Sequence, residues 1–346
     1  MRPILTSLLI SLLSVSFAQY GDTDSTLDTT TEVAQSQPAT DDYIRDVPLD
    51  SATFAFGQTA QINWSQGSIT VEGAGTAAPG LTQAQARLRA LGAARADALR
   101  LLAVTVEGIN ITAETTVRDY ALESDVIRTS LDAFIRGAVF PSGGERVEQF
   151  SDGSFIVYAT AVLPLFGSDS LSETVLPPFQ DRERQDGQQG STPATPETLL
   201  SQTLRHSYFA QAQSPFTGLI IDAGDTPIAA SLAPSILSES GDTVYGITDV
   251  AADTVGILGV ATFFNTVAGA TTDPRVGANP LIIRAVGVDG SSGALVGRTP
   301  IISAEDAERI RQANEVTGFL EQGGVSIAGR GTSDTGGLFM YEARLK

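Results

Sequence analysis

The chain has 346 residues, enough for about two domains of ordinary size, and its formal net charge is -19. It contains no cysteine, one histidine (His206) and one lysine, the last residue Lys346. These counts exclude disulfide frameworks, thiolate nucleophiles, Cys-ligated metals, multi-histidine metal sites and mechanisms that need an internal lysine. The acidic balance also argues against nucleic acid as a partner, because the phosphates would be repelled.

The first 18 residues are typical of a secretory signal peptide. Arg2 precedes an apolar run from Ile4 to Val15, and Ser16-Phe17-Ala18 places small residues where a signal peptidase cuts before Gln19. A membrane anchor is the alternative, but a spanning helix needs about 20 apolar residues. We therefore expect an exported chain in the periplasm or at the outer membrane or cell surface. Without a cysteine or a second long apolar run, we expect neither a direct lipid anchor nor a transmembrane helix in the mature chain.

Residues 19–58 form an acidic segment rich in Thr and Asp, with few apolar side chains. Such a composition cannot bury enough surface to offset the entropy of ordering, so we predict a disordered tail. Asp22, Asp24, Asp28 and Glu32 do not match the pattern of an EF-hand calcium loop.

Residues 59–166 are predicted to form the first folded domain. The pattern gives the order strand, helix, strand, helix, strand, strand, with elements at 68–76, 81–107, 109–117, 124–136, 138–150 and 154–165. Thr82 is the expected N-cap of the long helix. Ser151-Asp152-Gly153 is the expected turn of a hairpin.

Residues 167–200 are predicted to be a linker rich in Pro and Gln, and residues 201–346 a second domain. The second domain has predicted strands at 216–223, 234–237, 244–245, 281–288 and 325–328, a helix from 303 to 320, and an edge strand at 337–345. The fold class is therefore α+β: two small mixed α/β sandwiches, each with helices on one face of a small sheet.

Candidate catalytic groups are few. Asp222, at the end of a strand, and Asp225 are the best pair of carboxylates, which glycosidases require, although aspartates at strand ends are also ordinary turn formers. His206 lies beside the predicted linker and is interpreted as a surface residue. Glu305 and Asp306 lie in the first turn of a helix, where the dipole favours acidic residues without any function.

Other motifs also have structural explanations. Gly73-Ala74-Gly75 lacks the third glycine of a dinucleotide-binding fingerprint. Trp64 and Phe166 are interpreted as core or interface residues. We assign no catalytic, cofactor-binding or metal-binding residues and expect no cofactor.

The first domain resembles a known group of bacterial proteins. The strand Val71-Glu72-Gly73-Ala74-Gly75 leads into an Ala/Arg-rich helix, and Phe134-Ile135-Arg136-Gly137-Ala138-Val139 precedes the hairpin Asp152-Gly153-Ser154-Phe155-Ile156-Val157. In these motifs, the segment from about residue 65 to residue 165 is similar to bacterial envelope proteins related to the flagellar assembly protein FlgP and to the small outer-membrane lipoproteins grouped with it. The resemblance implies an assembly module that packs into rings or disks, with no catalytic residues.

These observations predict a non-enzymatic, exported cell-envelope protein that is structural. It would oligomerise or dock on other envelope proteins, so its partners would be itself, other envelope proteins or both. The alternative hypothesis is a periplasmic carboxylate-based glycan hydrolase or sugar-binding protein that uses Asp222.

Overall fold

The computed structural model describes residues 53–56, 60–188, 215–289 and 297–329, and it has an α+β fold, as predicted. The strands up to residue 164 form one antiparallel five-stranded sheet in the order β1-β2-β3-β5-β4. The elements of this part are β1 (Thr53–Phe56), β2 (Ala60–Asn63), β3 (Ser68–Gly75), α1 (Gln83–Glu107), α2 (Val117–Glu123), α3 (Asp125–Arg136), β4 (Glu145–Gln149), β5 (Phe155–Pro164) and α4 (Leu171–Gln188).

Helix α1 packs across β3 and β5 on one face of this sheet. Its N-cap is Thr82, as predicted, and the Thr82 hydroxyl accepts a hydrogen bond from the backbone N–H of Gln85. The helix turns a stripe of fully buried alanines, Ala90, Ala94 and Ala98, towards the sheet. Small residues spaced by four lie on one side of a helix, and here they allow the helix backbone to approach the strands closely.

The second part of the chain contains two four-stranded sheets. One is parallel, in the order β10-β6-β13-β9, and the other is mixed, in the order β11-β12-β7-β8. The elements are β6 (Gly218–Asp222), β7 (Ile236–Ser238), β8 (Thr243–Tyr245), α5 (Ala252–Leu258), β9 (Thr262–Phe264), α6 (Val267–Ala270), β10 (Pro280–Arg284), β11 (Gly287–Asp289), β12 (Thr299–Ile302), α7 (Ala304–Thr317) and β13 (Val325–Ala328).

Strand β6 lies between two parallel neighbours. Its residues from 218 to 221 are all buried, which explains the continuous apolar run that predicted a strand here. Two further predictions are confirmed. The strands predicted at 234–237 and 244–245 form the hairpin of β7 and β8, and the helix predicted from residue 303 is α7, which is capped by Ser303.

The structure differs from the predicted linker at residues 171–188, where it has helix α4. Four apolar side chains at helical spacing, Leu171, Val175, Leu176 and Phe179, are buried. The pair Pro177-Pro178 suggested a break, because proline removes a backbone donor. Burial of this apolar stripe, together with packing of α4 against α3 and α5, outweighs that loss.

Three further expectations differ in detail. In place of the predicted strand 109–117, residues 109–116 form a short irregular segment with one isolated bridge, between Asn110 and Thr116, and Val117 begins α2. The predicted strand 281–288 is divided between β10 and β11, which belong to different sheets. The predicted tail includes Thr53–Phe56, which is strand β1 paired with β2.

Several expectations fall outside the described residues. They are the signal peptide, most of the acidic tail, the rest of the predicted linker, His206 and the C-terminal edge strand.

The described parts before and after residue 200 share one hydrophobic core. The ring centroid of Trp64 lies 6.4 Å from that of Phe166 and 5.7 Å from that of Phe263. The backbone N–H of Leu232 donates to the carbonyl of Asn110 at 2.9 Å. In the described ranges, no helix combines the length and the apolar character needed to cross a membrane.

Candidate functional site

Asp222 ends strand β6 at the carboxyl edge of the parallel sheet, where ligands often bind in such folds. Its Oδ1 accepts a hydrogen bond from the N–H of Gly224 at 2.8 Å, and its Oδ2 lies 2.9 Å from Nη1 of Arg284. Asp225 follows in the same turn. Both oxygens of Asp222 are therefore engaged by a turn and by an ion pair with the end of the neighbouring strand β10.

We expect Asp222→Ala to lower the free energy of unfolding by about 1 kcal/mol, because a turn hydrogen bond and a partly exposed ion pair are each worth about that or less. Urea unfolding followed by circular dichroism measures this loss. Arg284→Ala removes only the ion pair and should cost less. A loss above about 3 kcal/mol for Asp222→Ala would mean that the carboxylate has a further role in the core.

The remaining candidate residues have local structural roles where they are described. Glu305 and Asp306 lie in the first turn of α7, and the N–H of Asp306 donates to the Ser303 hydroxyl. Trp64 is buried in the core. Across the described ranges, no group of three or more His, Cys, Asp or Glu side chains is arranged to hold a metal ion.

Strand β4 forms an edge of the five-stranded sheet, and this surface was not predicted from the sequence; it is called the free edge below because no second described strand pairs with it. This strand is the last in the five-stranded sheet and pairs only with β5 among the described strands. All of its residues, Glu145 to Gln149, are exposed. The sequence Glu-Arg-Val-Glu-Gln was a usable signal, because a strand with polar side chains on both faces is typical of a sheet edge.

The outer face of this edge carries an ordered group of charged side chains. The guanidinium carbon of Arg146 lies 3.8 Å from the ring centroid of Tyr158, and its Nη2 lies 3.4 Å from a carboxylate oxygen of Glu72. The Tyr158 hydroxyl donates to Glu148 at 3.0 Å. This hydrogen bond raises the pKa of Tyr158. Contacts on several sides hold Arg146 and Glu148 in place on the face of the strand.

Apolar side chains are exposed beside the same edge. Val139, Val147 and Phe150 are 61%, 42% and 42% exposed. Apolar groups left open to water next to an unpaired backbone edge are typical of a surface that another chain covers.

A comparison with protein families matches the second part of the chain. Residues 218–329 match the family model described as Treponema pallidum Tp0624, second domain. A comparison with curated proteins finds no match. The match covers β6 to β13, so about a third of the chain is similar to the second domain of that protein.

Proposed function

We propose that this chain is a non-enzymatic, exported protein of the bacterial cell envelope that acts as an assembly module. It would form complexes with itself or with other envelope proteins, in the periplasm or at the outer membrane. The observation that carries the proposal is the β4 edge of the five-stranded sheet, where every residue is exposed and β5 is the only neighbour among the described strands. A β-strand edge offers a row of backbone donors and acceptors to a second chain.

Two features of the sequence support the same proposal. The N-terminal pattern is typical of an exported chain. The segment that resembles the ring-forming envelope proteins, about 65–165, contains β3, α1, β4 and β5 and therefore the free edge itself. The engaged oxygens of Asp222 also favour a structural role for that residue over a catalytic one.

Native mass spectrometry of complexes extracted gently from the envelope tests the proposal. We expect a defined homo-oligomer, or a complex of fixed composition with another envelope protein. A chain that is monomeric after gentle extraction, and that brings down no envelope protein after cross-linking in cells, would contradict it.

A whole-cell protease protection assay tests the location separately. The exported chain should be cut in intact cells if it lies on the surface, and only after the outer membrane is permeabilised if it is periplasmic; a cytoplasmic chain would resist in both conditions. Retention in the cytoplasm would contradict export, whatever the oligomeric state.

A further inference from the structure

We infer that the partner of strand β4 is β4 of a second copy of this chain, paired antiparallel about a two-fold axis at Val147. The inference rests on the proposed assembly function and names the partner at the same edge. It would join two five-stranded sheets into one continuous sheet. The argument depends on the direction of the backbone groups and on the order of the side chains along the strand.

The hydrogen bonds at the two ends of the β4–β5 ladder fix which backbone groups face outwards. Thr160 donates to the carbonyl of Gly144 at 2.9 Å, and Phe150 donates to the carbonyl of Ser154 at 2.8 Å. In an antiparallel ladder, hydrogen-bonded pairs alternate with non-hydrogen-bonded ones. The backbone N–H and C=O groups of residues 146 and 148 therefore point towards β5, as do the C=O of Gly144 and the N–H of Phe150. The N–H and C=O groups of residues 145, 147 and 149 face the open edge.

An axis at Val147 uses all of these outward groups. Val147 would exchange both of its backbone hydrogen bonds with Val147 of the second copy. Glu145 would pair with Gln149 in the same way, twice by symmetry. Antiparallel pairing across a two-fold axis is isologous, so the same patch is used by both copies and the assembly closes as a dimer.

The side chains are complementary in the same register. Arg146 lies opposite Glu148 of the second copy, and Glu148 lies opposite Arg146. These are non-hydrogen-bonded pairs, in which facing side chains are closest. Val147 meets its own copy, and the amide of Gln149 can donate to the carboxylate of Glu145. Every facing pair is therefore either apolar or attractive.

Neighbouring registers lack this property. Moving the axis to residue 146 places Arg146 opposite its own copy, and moving it to residue 148 does the same for Glu148. Like charges directly opposite one another are destabilising. Charged residues usually protect an edge strand from association. In β4 the order of the charged residues favours pairing about Val147 and disfavours pairing about residue 146 or residue 148.

A charge-reversal cycle tests the inference by sedimentation of the exported chain over a range of concentrations. Arg146→Glu and Glu148→Arg each place like charges opposite one another at two positions of the interface. We expect each to weaken dimerisation by at least about tenfold. The double variant restores opposite charges and should recover most of the lost affinity. Arg128→Glu, on the exposed face of α3, is the matched control and should leave dimerisation unchanged.

Cross-linking gives an independent measurement, because the chain has no cysteine of its own. Val147→Cys places a single thiol on the proposed axis, and a short bis-maleimide should link two copies in high yield. Val126→Cys is the control, since Val126 is exposed on α3 away from the edge. Circular dichroism of each variant checks that it is folded.

The outcomes separate this inference from the proposed function. Recovery in the double variant and selective cross-linking at residue 147 support the inference. An oligomer that is insensitive to both single reversals, or a double variant no better than the single ones, would overturn it and leave assembly by another surface. A chain that is monomeric but still captures another envelope protein would also overturn the inference and leave the proposed assembly function standing. A monomer without any partner would overturn both.

Discussion

Replacing Gly73 by valine should lower the free energy of unfolding by about 3 kcal/mol or more, at the upper end of what overpacking costs. A Cβ at Gly73 would lie 2.2 Å from the backbone N of Ala98 and 2.3 Å from the carbonyl oxygen of Ala94. Both contacts are with helix backbone, which cannot move aside as a flexible side chain could. The helix α1 would have to lift from the sheet along its alanine stripe, opening the buried contacts around it.

Urea unfolding followed by circular dichroism measures the effect of Gly73→Val. Gly92→Ala is the matched control, because Gly92 lies in the same helix with no heavy atom within 4 Å of an added Cβ. There the substitution should stabilise the protein by up to about 1 kcal/mol, since alanine is the better helix former. Equal midpoints for wild type and Gly73→Val would show that the helix and sheet are not held at the spacing described here.

The same site shows what the sequence could predict. The α1 helix, its Thr82 cap and its apolar spacing are local features, and they predicted the element nearly to the residue. The predicted strand 68–76 is confirmed as β3, which stays paired with β5 as far as Gly75 and Val157. What the sequence did not predict is the reason for glycine at positions 73 and 75. The glycines are needed by a helix that passes over them, and that close approach is not visible in local sequence.

Other differences have the same origin in long-range packing. The pair Pro177-Pro178 predicted a break in the region of helix α4. The helix forms because contacts with residues far along the chain stabilise it. The side-chain amide of Gln180 donates to the carbonyls of Ile247 and Val250 at 2.6 and 2.9 Å, and the Ser172 hydroxyl donates to the carbonyl of Gly256. A linker and a docked helix of this composition therefore cannot be distinguished without those contacts.

The candidate surface at β4 was also only partly predictable. The hairpin and its turn at Ser151-Asp152-Gly153 followed from local turn chemistry. Whether β4 or β5 lies at the edge depends on which strand pairs with β3, and that is a question of topology. Once the topology shows that β4 lies at the edge, the order of its charged residues indicates in which register a second strand could pair with it. The sequence alone does not indicate this.

The second large effect is expected in the loop before β10, where Asp273 and Arg275 form a buried ion pair that packs against strands β9 and β13. Their side chains are 10% and 8% exposed, and Nε of Arg275 lies 3.5 Å from Oδ2 of Asp273. The carboxylate also accepts hydrogen bonds from the hydroxyls of Thr262 and Ser326. The guanidinium donates to the carbonyl of Leu258, and its burial lowers the pKa of Arg275.

We expect Arg275→Met to lower the free energy of unfolding by about 3–5 kcal/mol, because it leaves a buried carboxylate without its cation. Asp273→Asn should cost a similar amount by leaving the guanidinium unpaired. The matched control is Arg128→Met, which breaks the exposed pair of Arg128 with Asp125. It should cost less than about 1 kcal/mol.

The double variant of Asp273→Asn and Arg275→Met distinguishes a coupled pair from two independent losses. Once one charge is gone, removing the other relieves the penalty that the first removal created. The combined loss should therefore be smaller than the sum of the single losses by about 1–3 kcal/mol. Simple additivity would mean that the two charges are stabilised separately, by the hydroxyls of Thr262 and Ser326 on one side and the carbonyl of Leu258 on the other. The coupling energy thus measures how far this pair itself holds the loop before β10 against the parallel sheet.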